Sequence, residues 1–316
     1  MSVSIPVIDI SGLFSADVKE RQMVAQQMKQ ACEDKGFFYI SNHGIATELQ
    51  QAVFKQSKQF FDLPMNEKEK VHKKNSIANR GYEPLKNQTL EVGTPADLKE
   101  GFYSGREYAL ESKEVLAQRF NHGPNQWPTQ FPEFESTMQH YQAELEVLAK
   151  YLMRGLALSL SLSENYFDDF CQDSLVTLRL LHYPPQPANP EPNEKGCGAH
   201  TDFGALTLLL QDQQGGLQVW DQNSESWMDA PPIEGTYVIN LGDLIARWTN
   251  NRFKSTLHRV INKSGKQRYS VPFFFGGNPD YQVQCLPNCK TENEPALFAP
   301  TTVEKHHIEM YRRTYG

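Results

Sequence analysis

Near residue 172 the spacing of apolar residues changes period, and that change constrains the fold more than any other feature of the chain. Upstream, Phe134 to Leu160 carries Met138, Tyr141, Leu145, Leu148, Leu152 and Leu156 at helical spacing, the longest helix the sequence predicts. Downstream come Leu175 to Tyr183, Leu206 to Leu210, Leu217 to Trp220, Tyr237 to Leu241, Ser255 to Ile261 and Tyr269 to Phe275, short runs separated by turn residues. Regularly spaced short strands of this kind close into a sandwich or barrel. The expected fold class is α+β with a mainly β core and flanking helices. Its core is a double-stranded β-helix, or jelly roll, with an α-helical N-terminal region. Pro184 to Pro192 cannot form a central strand and is read as a loop.

The N-terminal region opens with Val3 to Ile10, an alternating run in which Pro6 suggests an edge strand. Residues 16–35 read as an amphipathic helix stopped by Gly36, and Phe37 to Ile40 as a buried strand. A second helix carries Leu49, Val53, Phe54 and Phe60 and is closed by Pro64. From Lys73 to Arg106 the chain is polar and aperiodic, which predicts a lid or a substrate-contacting loop. Val303 to Thr314 returns to a helical pattern. Four regions follow: helices and short strands over 1–115, a helical linker over 116–172, the jelly-roll core over 173–280, and an extension with a helix over 281–316. All are expected to form one compact unit.

With 31 basic and 38 acidic residues the net charge is −7, and the chain lacks the basic stripe that nucleic acid requires. A protein acting on DNA or RNA is therefore disfavoured. No apolar run is long enough to span a bilayer, and the five scattered cysteines read as free thiols, so a cytoplasmic protein is the default expectation. Nothing in the sequence sets an oligomeric state.

Within the strand-rich half stand His200-Thr201-Asp202, then His258, then Arg268-Tyr269-Ser270. Two imidazoles and one carboxylate on one face of an iron leave three positions open, the donor set of a non-haem Fe(II) oxygenase. In an extended strand residues i and i+2 point to the same side, so His200 and Asp202 could reach one ion. His258 lies on the expected strand Ser255 to Ile261, after a hairpin centred on Asn250-Asn251. On the last strand Arg268, Ser270, Pro272 and Phe274 share a face. An inward Arg268 needs an anionic partner, and a dicarboxylate would supply one.

These runs, together with Arg179-Leu-Leu-His-Tyr183-Pro184, Gly215-Gly-Leu-Gln-Val219 and Gly36-Phe-Phe-Tyr-Ile-Ser-Asn-His-Gly44, resemble the 2-oxoglutarate/Fe(II)-dependent dioxygenases of the isopenicillin N synthase-like superfamily. Through Asn79-Arg80-Gly81-Tyr82 the chain looks more similar to microbial members of the thymine hydroxylase type than to plant flavonoid enzymes. The resemblance implies that His200, Asp202 and His258 bind Fe(II), that Arg268 and Ser270 hold the distal carboxylate of 2-oxoglutarate, and that Tyr183 helps bind it. One departure stands out: Leu181 occupies a position where many plant members place Asn, so a side-chain hydrogen bond near the cosubstrate's other end is either lacking or made by another residue.

Asn79, Arg179, Phe203 and Phe274 match positions near substrate in thymine hydroxylase-type members, and Tyr82, with Phe102 and Tyr103, lies in the segment expected to close over the site. The implied reaction uses O2, with ascorbate as a candidate reductant. It hydroxylates a small, planar or aromatic metabolite and releases succinate and CO2. Two other readings stay open: an iron oxidase of the same superfamily forming a double bond, a ring or ethylene, and a catalytically silent small-molecule-binding protein. The remaining histidines, His307 among them, are read as structural.

Overall fold

The computed structural model describes residues 5–187 and 189–315, the side chain of Tyr315 aside. Val3 and Ser4, the start of the expected opening run, and Ala188 of the Pro-rich loop lie outside the described residues. Strand β1 (Val7–Asp9) runs parallel to β2 (Phe37–Ser41), and helix α1 (Val18–Asp34) connects them. Asp17 caps α1 by accepting the Lys19 N–H at 2.9 Å. Gly36 stops it at φ +64°, its N–H returning to the Ala31 carbonyl at 2.9 Å.

Helix α2 (Thr47–Phe61) and one turn, α3 (Met65–Lys68), lead into β3 (Gly81–Glu83) and β4 (Glu100–Gly105). A short α4 (Lys113–Leu116) precedes α5 (Pro132–Ser159), the long helix expected from the periodicity. The core strands are β5 (Leu175–Tyr183), β6 (Cys197–His200), β7 (Leu206–Gln211), β8 (Leu217–Asp221), β9 (Ser226–Asp229) and β10 (Tyr237–Leu241). After helix α6 (Asp243–Trp248) come β11 (His258–Val260), β12 (Arg268–Gly277), a small ladder of β13 (Gln282–Val283) with β14 (Thr301–Thr302), and α7 (Val303–Tyr315).

Two sheets make the jelly roll. The larger runs β1-β2-β10-β7-β12-β5-β4-β3 and the smaller β6-β11-β8-β9. Strand alternation divides the apolar side chains between two cores. Leu208, Leu210, Phe273 and Ile239 pack with Leu145, Leu152 and Met28 of the helices. Leu209, Val238 and Leu181 face the other way, onto Leu217, Val219 and Val260 of the small sheet. The helical layer thus closes one face of the large sheet, and the small sheet faces the other, where polar chemistry can be placed between them.

Three expectations need correction. Lys73 to Arg106 is not wholly irregular, because β3 and β4 extend the large sheet past β5. Charges inside these strands masked their pattern: buried Glu83 pairs with Lys73 at 3.1 Å, and buried Glu100 pairs with Lys68 at 2.8 Å and His182 at 2.7 Å. Asn250 and Asn251 do have positive φ, 54° and 63°, but they follow the unforeseen helix α6 instead of joining a hairpin, and the strand expected from Ser255 shrinks to His258–Val260. Strands β6 and β9 were not legible as strands, being short and, in β6, built around Gly198.

Gly36 has a steric duty beyond its φ. A Cβ there would lie 1.9 Å from the Lys254 carbonyl oxygen, whereas at Gly265, φ +70°, it would meet nothing within 4 Å. Gly265→Ala should cost about 1 kcal/mol from the left-handed backbone alone. Gly36→Ala should cost clearly more, at least about 2 kcal/mol, because strand β2 must also move. Chemical denaturation midpoints of the two variants check this, and equal losses would show that the close approach relaxes without penalty.

Candidate metal centre

His200 is the last residue of β6 and His258 the first of β11, and the antiparallel register sets them directly opposite each other. Their ring centroids lie 4.3 Å apart. Asp202 does not share a strand with His200, as the alternation argument expected; β6 has ended, and the carboxylate reaches back from the following turn. Asp202 Oδ1 lies 3.8 Å from His200 Nε2 and 3.7 Å from His258 Nε2. One ligand atom from each of the three residues falls within 4.8 Å of the others, the one such cluster among the described residues.

The rest of each side chain is committed elsewhere. His200 Nδ1 donates to the Gly198 carbonyl at 2.8 Å and His258 Nδ1 to the Thr256 carbonyl at 3.2 Å, which leaves both Nε2 lone pairs facing Asp202. Asp202 Oδ2 accepts from Thr207 Oγ1 at 2.5 Å and Asn240 Nδ2 at 2.7 Å, leaving Oδ1 toward the histidines. Burial, joined by the His200 imidazole, pushes His258 down to about 4, and burial also lowers His200, so both rings favour the neutral, coordinating form. Burial alone would raise the Asp202 carboxyl. The adjacent imidazoles and the Asn240 and Thr207 hydrogen bonds outweigh it and hold Asp202 below its ordinary range. Neutral Nε2 atoms and a carboxylate oxygen converging on one point fit a divalent iron with open positions.

Two chambers meet at this cluster, sharing His200, Asp202, Arg179 and Phe274. The inner one, about 520 Å³, lies between the sheets and is lined by Tyr183, His258, Arg268, Ser270 and Phe274. Arg268 is 1 % exposed, which rules out a solvated position. Its Nε donates to the Gly215 carbonyl at 2.5 Å and its Nη2 to Gln211 Oε1 at 3.1 Å, while the guanidinium lies over the Tyr183 ring at 4.7 Å. Its Nη1 has no partner among the described residues. A buried donor left without an acceptor is costly, and a carboxylate entering the chamber would satisfy it. The chamber therefore fits an anionic cosubstrate.

The outer chamber, about 930 Å³ and open to solvent, collects Asn79, Arg179, Phe203 and Phe274 as the sequence suggested. Tyr82 is a correction. It is fully buried, its hydroxyl donates to Glu100 Oε2 at 2.7 Å, and its ring packs on Phe60 in the helix-side core. Phe102 belongs to the same core, whereas Tyr103 does line the chamber. Asn79 accepts from the Tyr311 hydroxyl and donates to Asn121 Oδ1, both at 2.8 Å, so it ties the wall to α7.

Sequence reasoning missed several residues here. His307 and Tyr311 bring α7 into the outer wall, and Lys73 and Gln88 come from the segment before β4. Asn240 and Thr207 had left a trace, as single polar residues inside the apolar runs Tyr237–Leu241 and Leu206–Leu210.

Comparison with known proteins places this geometry in a family. Residues 5–130 match the family described as non-haem dioxygenase in morphine synthesis N-terminal, and residues 173–277 match the 2OG-Fe(II) oxygenase superfamily. The chain is 46 % identical to the 2-oxoglutarate-Fe(II) type oxidoreductase hxnY of Emericella nidulans, over 98 % of this chain and 90 % of that protein. The thymine-7-hydroxylase of Neurospora crassa, solved with alpha-KG and thymine, superposes with a TM-score of 0.85 at 32 % identity, covering 98 % of this chain and 97 % of that one. A 2OG-Fe(II) oxygenase family protein from Caulobacter crescentus gives 0.86 at 30 % identity, with 99 % of both chains covered. No helix among the described residues is long and apolar enough to cross a membrane. With the two family matches spanning both the helical region and the jelly roll, the chain belongs to the 2-oxoglutarate–Fe(II) oxygenases, an oxidoreductase of the dioxygenase type that works with Fe(II) and 2-oxoglutarate.

Proposed function

We propose that this enzyme hydroxylates a carbon of a small planar metabolite, with release of succinate and CO2. The observation that carries the reading is the meeting of two chambers of different character at one His-Asp-His cluster. His200 and His258 would offer Nε2 and Asp202 would offer Oδ1 to the iron. Arg268 and Ser270 would take the distal carboxylate of 2-oxoglutarate, with Tyr183 beside them. Bound together, Fe(II) and 2-oxoglutarate supply the oxidising chemistry, in which decarboxylation of the oxo acid is coupled to reduction of O2 and oxidation of a substrate carbon.

The protein's own contribution is placement. Phe203 and Phe274 give the outer chamber apolar ring faces, and Arg179 and Asn79 give it polar edges. Arg179 is itself fixed, stacked 4.3 Å from the Tyr103 ring and hydrogen-bonded to the Tyr103 hydroxyl and Gln88 Oε1. A flat molecule with an acceptor or carboxylate at its rim suits such walls. The likeness to a thymine-7-hydroxylase solved with thymine, itself a small flat ring, supports the same class.

Succinate release from labelled 2-oxoglutarate, screened against planar ring compounds with Fe(II) present, tests the reading. Stimulation should come with one atom of isotopically labelled dioxygen in the product. A product lacking the label would turn the reaction to desaturation or ring closure, and absence of stimulation across the panel would remove the substrate class. His200→Ala should reduce iron retention and bring turnover to background, as measured by metal content and succinate yield. Arg268→Leu should raise the 2-oxoglutarate KM by roughly ten- to hundredfold with a smaller change in kcat. An unchanged KM would exclude Arg268 as the carboxylate partner.

A further inference from the structure

Besides Arg268 and the shared Arg179, the inner chamber contains a third cation, one that neither the motif nor the resemblance singled out. Lys99 stands immediately before β4, and the register Glu100↔His182 sets it beside Tyr183 on the adjoining strand. Its side chain is 3 % exposed, yet it lines the chamber together with Tyr183, Leu181, His200 and Arg268. Leu181 brings no polar atom to that wall, and its partner in β4 is Gly101, which carries no side chain.

What fixes Lys99 also ties it to the metal cluster. Asp97 accepts a hydrogen bond from the Lys99 ammonium through Oδ2, and through Oδ1 it accepts the Gly198 N–H at 2.9 Å. The Gly198 carbonyl in turn holds His200 Nδ1. An ammonium has three N–H donors, and Asp97 is its one side-chain acceptor among the described residues. Buried donors beside a chamber that fits an anion call for an anionic acceptor. The order β12-β5-β4 puts Arg268 and Lys99 on opposite sides of Tyr183, roughly 10 Å apart at two strand spacings. Of the two, Lys99 is the one linked to His200.

We propose that Lys99 is a cosubstrate-binding residue whose ammonium hydrogen-bonds the 1-carboxylate end of 2-oxoglutarate, supplying from the next strand the polar contact that Leu181 cannot make. The assignment rests on the reading of the inner chamber as the cosubstrate site.

The test is anaerobic titration of the Fe(II)-loaded full chain with 2-oxoglutarate and with 2-oxopentanoate, which keeps the 2-oxo acid end and lacks the distal carboxylate. Affinity is read from heat and from the visible charge-transfer band, and iron content is measured separately for every variant. Lys99→Met should weaken both ligands by the same factor, roughly ten- to hundredfold. Because that variant strands Asp97 as a buried unpaired carboxylate, the double variant Asp97→Asn/Lys99→Met is tested beside it; it removes both charges and keeps an acceptor for the Gly198 N–H. Affinity should stay low in the double variant. Recovery there would show that Lys99 only neutralises Asp97, and weakening confined to 2-oxoglutarate would place Lys99 at the wrong end; either result overturns the proposal. Arg268→Leu separates the two levels of argument. If it leaves 2-oxoglutarate binding unchanged, the chamber reading itself fails; if it weakens binding while the Lys99 variants do not, only the Lys99 assignment falls.

Discussion

The Asp202 carboxylate joins the two halves of the molecule. One oxygen is held by Thr207 on β7 and Asn240 on β10, both in the large sheet, while the other faces His200 and His258 on the small sheet. An isolated buried carboxylate would be costly. Here the large sheet supplies two hydrogen bonds and leaves the negative charge aimed at the gap where a cation belongs. The Asp243 N–H and the adjacent Gly242 lock the backbone at the same point: Asp243 N donates to the Asp202 carbonyl at 2.8 Å, and a Cβ on Gly242 would lie 2.2 Å from the Gly204 carbonyl oxygen. Spacing between the sheets, the turn after β6 and the metal donor set are thus one constraint.

Much of this was legible in the sequence, and the reason is local. Helices α1, α2 and α5 carry clean periodicity because each buries one face in an apolar core, and strands β2, β5, β7 and β10 read as short apolar runs because they contribute side chains to both cores. The motif residues His200, Asp202, His258, Arg268 and Ser270 stand out by residue type and spacing, although Asp202 lies in the turn after β6. Tyr82 misled for a complementary reason. It sits in a polar segment that looked like a loop, but the polar residues around it are neutralised pairwise inside the sheet, and the tyrosine points into the core.

What stayed hidden acts across space. Asp97 and Glu91 accept the backbone N–H groups of Gly198 and Ala199, each at or below 2.9 Å, and so strap the free edge of β6 beside its terminal histidine. No pattern within residues 85–99 announces this, because the acceptors and the strand they hold are about a hundred positions apart. The same holds for α7. Its helical period is readable, but its place over the outer chamber follows from contacts made far upstream, where Arg119 reaches Glu304 and Asp280 and Asn79 receives Tyr311.

The origin of the outer wall has an evolutionary consequence. The iron donors and the inner chamber are built almost entirely from strands β5 to β12, whereas Asn79, Gln88, His307 and Tyr311 come from the segment before β4 and from the last helix. Sequence drift at those outer-wall positions, as distinct from Glu91, Asp97 and Lys99 in the same stretch, can reshape what the enzyme admits while leaving the oxidising centre untouched. Such a division lets one catalytic engine diversify over many metabolites without renegotiating its own assembly.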